Sequence, residues 1–213
     1  RTEGASLRRG PHLLVHFGLP SSPHGPVTLA VGSFDGVHLG HADVIRRTVA
    51  TAALDQAQPA LMTFEPHPRC VLDPANCPPS VTTLQEKLAL IEGLGIEHAI
   101  VIRFDRALAS LSPQEFIDLL SPVIQVRRWV VGFDFAFWRE RRGSAEWLSA
   151  NGHAVDIVPP FKLNGNGLHS PDVRMLLPLG AMDNATRLLC REHSMAGPIT
   201  RLATVGGRVG VPA

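Results

Sequence analysis

Val27-Thr28-Leu29-Ala30-Val31-Gly32-Ser33-Phe34-Asp35-Gly36-Val37-His38-Leu39-Gly40-His41 is the stretch whose reading decides the fold of this chain. Its first five residues form an apolar, β-branched run, the composition of a strand buried on both faces, and Gly32-Ser33 closes it. Beyond the stretch, Val44, Ile45, Val49, Ala52 and Ala53 recur at helical spacing, which predicts a helix starting near Gly40. A strand, a glycine-containing turn and a helix in this order can cradle a phosphate. The first turn of a helix leaves backbone N–H groups unpaired and carries partial positive charge.

His38 and His41 add two imidazoles at that helix start. They stand three positions apart across Gly40, whose missing side chain permits a tight turn, so both rings can face one anionic group. Each ring donates one N–H when neutral and two when protonated. Attack on the α-phosphate of a nucleoside triphosphate builds charge on its bridging and equatorial oxygens. Fixed donors aimed there lower the barrier without a covalent intermediate. An acceptor that is itself a phosphate is already ionised and needs no general base.

Strand and helix signals alternate outward from this centre. Strands are predicted over 27–32, 59–64, 98–102, 128–132 and 153–158, with helices over 40–57, 83–94, 112–121 and 144–151 and a Pro-rich loop over 65–80. Alternation of this kind builds right-handed βαβ units. The expected fold is α/β, a Rossmann-like doubly wound parallel sheet covered on both faces. Such sheets bind ligands beyond the carboxyl ends of their strands, and the His pair, Glu65-Pro66-His67 and Asp134 all follow predicted strands. Residues 1–26 are rich in Gly, Pro, Ser and Arg and read as a mobile extension, with Leu13–Phe17 a short strand or helix.

Bulk properties narrow the partners. The formal net charge of +1, without a basic stripe, points away from nucleic acid and leaves small phosphorylated ligands as candidates. There is neither an apolar stretch of the roughly 18–20 residues that span a bilayer nor a secretory pattern, so no membrane is expected and the cytoplasm is the default compartment. Three cysteines, Cys70, Cys77 and Cys190, lack metal-ligand spacing and read as free thiols, the alternative being that Cys70 and Cys77, which flank the Pro-rich loop, approach each other.

Individual polar residues carry competing readings. Asp35 either bonds turn backbone N–H groups or contacts ligand directly. His67 sits between two prolines, whose rigidity explains the segment without a catalytic role. Asp134 lies among Phe133, Phe135 and Phe137, rings that either offer faces to a flat heterocycle or fill the end of the core.

The segment Gly32 to His41 resembles the His-x-Gly-His nucleotidyltransferase superfamily, and with Gly36 after the aspartate it is similar to the bacterial FAD synthetases. Three further blocks match in order: Thr63-Phe64-Glu65-Pro66-His67-Pro68-Arg69, Phe104-Asp105 with Leu108 to Phe116, and Val131 to Phe137. The resemblance runs from about Val27 to Arg191 and implies an FMN adenylyltransferase domain over 27–192, converting ATP and FMN to FAD and pyrophosphate with Mg²⁺ accompanying the ATP. It implies catalytic roles for His38 and His41. Gly32, Ser33, Phe34, Gly40, Ser170 and Arg174 would bind nucleotide, and Asp35, Asp134, Phe135 and Phe137 the acceptor. Residues 193–213 resemble the opening of the riboflavin kinase barrel that follows in full-length members; a segment that short builds no core, and no kinase activity is expected of it.

The chain departs from the family where a Ser-Ser-Thr-x-Ile-Arg block normally holds the triphosphate. Here that block is His169-Ser170-Pro171-Asp172-Val173-Arg174, so a hydroxyl and a backbone donor are replaced by proline. Trp138 stands where the family carries glycine. Arg141 and Arg142 read as solvated charges that can close over phosphate. Weakened turnover is one expectation; the alternatives are transfer to another small phosphorylated acceptor and a catalytically silent nucleotide- or flavin-binding homologue.

Overall fold

A computed structural model of the protein describes residues 12–21, 24–137, 143–163, 166–167, 170–177, 179–189 and 191–192. Strand β1 (Leu14–Phe17) precedes β2 (His24–Val31), α1 (Leu39–Leu54) and β3 (Gln58–Glu65). Next come α2 (Pro68–Leu72), α3 (Leu84–Gly93), β4 (His98–Arg103), α4 (Arg106–Ser110), α5 (Pro113–Leu120) and β5 (Ile124–Gly132). The chain continues through β6 (Ala136–Phe137), β7 (Gly143–Ser144), α6 (Ala145–Ala150), β8 (Val155–Val158), β9 (Lys162–Leu163), β10 (Asn166–Gly167), α7 (Ser170–Leu176) and α8 (Met182–Leu189).

The main sheet has six strands in the order β1-β4-β3-β2-β5-β8, and every neighbouring pair is parallel. Alternate residues of each strand feed two cores. Leu29, Val31, Met62, Phe64, Ile100, Trp129 and Val131 pack with Phe116 and Leu120 of α5 and Leu148 of α6. Ala30, Leu61, Ala99 and Val130, one position out of phase, pack on the opposite face with Val44 and Ile45 of α1 and Ile91 of α3. This two-sided burial explains why the central strands read as unbroken apolar runs. Each fully buried Leu, Ile or Phe contributes roughly 1.5–3 kcal/mol relative to exposure. Capping boxes at Thr83/Glu86 and Ser112/Glu115 fix where α3 and α5 begin.

Three expectations change. The segment read as a mobile extension is structured where it is described: β1 adds a sixth strand beside β4, and β2 starts at His24. Residues 1–11 lie outside the described residues. The Pro-rich loop contains α2 and a 3₁₀ turn at Pro74–Asn76, each opened by a proline whose φ is preset for a helix start. Those turns fold the chain back on itself, and Cys70 and Cys77, read as free thiols, are joined in a disulfide. Cys190 lies outside the described residues, as do residues 193–213, read as a barrel remnant. Among the described residues no helix is long and apolar enough to cross a membrane.

Candidate active site

The sheet's winding reverses between β2 and β5. From β2 the chain moves through α1 to β3 and onward to β4, then crosses back to β5 on the other side of β2. A crevice opens where the connections diverge in this way, and the loops at the carboxyl ends of β2, β5 and β8 meet there.

The loop after β2 is held in an unfavourable backbone conformation. Phe34 and Val37 have φ of 48° and 39°, with Gly36 at 78° between them; a β-branched residue there is strained and persists only where its surroundings enforce it. Enforcement comes from three sides. The Asp35 carboxylate, 4% exposed, accepts from the backbone N–H groups of Val81 (3.0 Å) and Thr82 (3.1 Å) and from Arg174 Nη2 (2.7 Å). The Thr82 hydroxyl accepts the Gly36 N–H at 3.1 Å. Arg191 donates to the carbonyls of Gly36 (2.7 Å) and Val37 (3.4 Å). A side chain at Gly36 would place its Cβ 2.9 Å from Val81 Cγ1, so space as well as dihedral angle selects glycine.

This turn delivers His38 as the N-cap of α1. Its Nδ1 accepts the His41 backbone N–H at 3.3 Å, which assigns the proton of a neutral ring to Nε2 and leaves that atom a donor. The His38 and His41 rings stack with centroids 3.7 Å apart and planes 18° from parallel, and the edge of Phe34 backs His41 at 5.2 Å. Gly40 makes the stack possible, since a Cβ there would lie 3.2 Å from His38 Cε1. Burial, then the neighbouring His38, Lys87 and Arg174, hold the His41 imidazole well below its ordinary range, so it is neutral at pH 7. Its buried Nδ1 has no hydrogen-bond partner among the described residues, an arrangement that costs about 1–3 kcal/mol.

Both rings face a cleft of about 300 Å³ lined also by Gly40 and Val44, by Gly132, Phe133 and Asp134 after β5, by Val158 to Phe161 after β8, and by Pro171 at the start of α7. A second cavity of about 350 Å³ shares the Val158–Pro159 wall and continues along α1 past Asp43 and Arg46. The structure therefore gathers His38, Gly40, His41 and Asp134, residues distant in sequence, around one space.

Other anticipated residues sit differently. Asp35, Phe34, Ser33 and Gly32 form the turn rather than the cleft wall: the Asp35 carboxylate is occupied by backbone N–H groups and Arg174, and Phe34 is buried behind His41. Arg174 pairs with Asp35 and donates to the Pro79 carbonyl instead of lining the cleft, because a buried carboxylate requires a cationic partner. Phe135 packs on the core while Phe133 lines the cleft. The tight turn closed by Phe135 N–H to Gly132 carbonyl (3.0 Å) reverses the strand's alternation at that point. Phe137 lies on β6 and Ser170 opens α7; Trp138, Arg141 and Arg142 lie outside the described residues. His67 caps α2, its Nδ1 accepting the Arg69 N–H at 3.1 Å. Sequence reasoning missed Phe161 with Pro159 and Pro160, which the Pro-Pro pair after an apolar strand could have signalled, and Arg191, which nothing local marks.

Strand order, a crevice at the reversal point and paired imidazoles at the start of α1 define an α/β domain of the nucleotidyltransferase type. Residues 21–171 match the FAD synthetase family model, and the chain belongs to that family. It is 32% identical over 190 residues to the bifunctional riboflavin kinase/FMN adenylyltransferase of Listeria monocytogenes, a match covering 86% of this chain and 60% of that protein. Against the proteins of the same description from Bacillus subtilis and Escherichia coli K12 the identities are 33% and 30%, covering 86% and 91% of this chain and 60% and 64% of theirs. The chain thus spans about 60% of the length of the first of these curated relatives. A Streptococcus pneumoniae crystal structure, described as that of a macrolide-efflux protein, superposes with a TM-score of 0.77 at 25% identity, covering 85% of this chain and 72% of that one.

Proposed function

We propose that residues 27–192 transfer the adenylyl group of ATP to FMN, forming FAD and releasing pyrophosphate. One observation carries the reading. Two stacked imidazoles, 3.7 Å apart, stand at the start of a 16-residue helix, His38 as its N-cap and His41 in its first turn, at the mouth of a cleft whose far wall is the loop after β5. The family and the description of the relatives as FMN adenylyltransferases support the choice of substrates.

In this reading an ionised FMN phosphate oxygen attacks the α-phosphorus of ATP in line with the departing pyrophosphate. The new P–O bond forms as the bond to the β-phosphate breaks, and no proton need be removed. His38, His41 and the amides of the first turn of α1 hold the equatorial oxygens as charge builds on them. Phe133 and Asp134 place the acceptor. Arg174 acts from behind through Asp35. Mg²⁺ would enter as the counterion of the triphosphate, offsetting its charge; among the described residues no three His, Cys, Asp or Glu side chains gather into a metal cage.

The test incubates the protein with ATP, FMN and Mg²⁺ and follows pyrophosphate and FAD together. Equal appearance of both, lost in His41→Ala with the far-UV and near-UV spectra unchanged, is the expected result. Binding of ATP and FMN without pyrophosphate release would overturn it.

A further inference from the structure

A buried ammonium lies behind the turn that carries the imidazoles. Lys87 of α3 is 5% exposed. Its Nζ stands 3.4 Å from Thr63 Oγ1 and 3.9 Å from Glu65 Oε2, at the end of β3. The Thr63 hydroxyl, with its residue fully buried, donates in turn to the Ser33 carbonyl at 3.0 Å. The direction is fixed: the single hydroxyl proton goes to Ser33, so the oxygen lone pairs are left to accept from Lys87.

This is thin compensation for a desolvated charge. The Glu65 side chain is half exposed, and Lys87, with three donors, makes one hydrogen bond among the described residues. Where a cation serves packing alone, an apolar side chain of similar length is as good or better. Burial accordingly pulls the Lys87 ammonium below its ordinary range, opposed by Glu65 and Asp35. A charge retained against that penalty, under a turn built to meet phosphate, needs a reason.

We propose that Lys87 is a positioning residue of the phosphate site: through Thr63 it fixes the Ser33 carbonyl and the turn, and its charge sets the field around the His38–His41 pair. The inference deepens the adenylyl-transfer reading and rests on it only for the identity of the phosphate. The groups acting on His41 come from three elements, His38 at the start of α1, Lys87 on α3 and Arg174 on α7. Asp35 is paired with Arg174, and Glu65 faces Lys87. An incoming polyphosphate meets positive potential supplied from behind, while the His41 imidazole stays neutral.

The test reads the His41 ring by NMR titration in the free protein, without substrate, so its failure is separate from a failure of adenylyl transfer. Lys87→Met removes the charge at similar length, and the His41 midpoint is expected to rise. Lys87→Arg keeps the charge and is expected to leave the midpoint near wild type. A purely structural lysine would move neither. Thr63→Val, which breaks only the bridge, is expected to leave the midpoint in place and raise the KM for ATP about fivefold, the equivalent of one ordinary hydrogen bond. An unchanged midpoint in Lys87→Met, or an equal rise in Lys87→Arg, overturns the proposal. If Lys87→Met does not fold, Lys87→Gln takes its place with the same two outcomes.

Discussion

His41 is an imidazole that the fold keeps uncharged. In the unfolded chain its pKa lies near 6.5; in the native protein burial and its cationic neighbours hold it well below that. Between those values the unfolded state binds more protons, so stability must increase with pH across the window. This contribution is complete above about pH 6.5 and is lost as pH falls toward the native value. Denaturant unfolding from pH 7 to pH 5 should show a loss that His41→Gln reduces; an equal slope in both proteins would contradict the assignment. Asp35 behaves as a depressed carboxylate. Burial is the largest single influence and works upward, but the Arg174 hydrogen bond, the Val81 and Thr82 N–H groups and the Arg174 charge together outweigh it. Its contribution is therefore present above about pH 3.8 and lost below. Arg174→Met, which leaves a buried carboxylate with hydrogen-bond donors but no cationic partner, should cost about 3–5 kcal/mol in urea unfolding.

At the scale of elements, the start of α1 and the start of α7 face the same cleft and can be tested by opposite kinds of change. Ala at Gly40 favours the helix by up to about 1 kcal/mol but drives a Cβ against His38. Turnover should drop several-fold while thermal stability stays level or rises; a matching loss of both would mean the glycine serves folding instead. Pro171 lines the cleft at the α7 start, where it offers neither hydroxyl nor backbone donor. Pro171→Thr should raise kcat, by up to about a hundredfold if the restored donor meets developing charge, and steady-state pyrophosphate release would show it. The helices and strands themselves were readable because two-sided burial writes long apolar runs and amphipathic helices write a repeat. Their polar traffic was not. Lys87 sits among Glu86, Gln85 and Glu92 of α3 and reads as part of a solvated face; only the packing of α3 onto the sheet shows it turned inward.

For the whole molecule, the rim of the parallel sheet was legible because topology alone places the loops after β2, β5 and β8 together. What could not be read were couplings between distant positions. Asp35 and Arg174 are 139 positions apart, and Gly36 and Arg191 are 155 apart; no local pattern announces either pair. The tight turn after β5, by contrast, is local: closed between Gly132 and Phe135, it leaves Phe133 at the cleft and Phe135 against the core.

The late position of Arg174 and Arg191 bears on how the protein matures. Chains emerge from the ribosome amino end first, and all six strands of the main sheet have been made once Val158 has been added. The two guanidinium groups that clasp the strained turn come afterwards. A nascent chain can thus carry every strand of its scaffold before the two residues that lock the turn exist, which makes this corner of the cleft the last part to be completed.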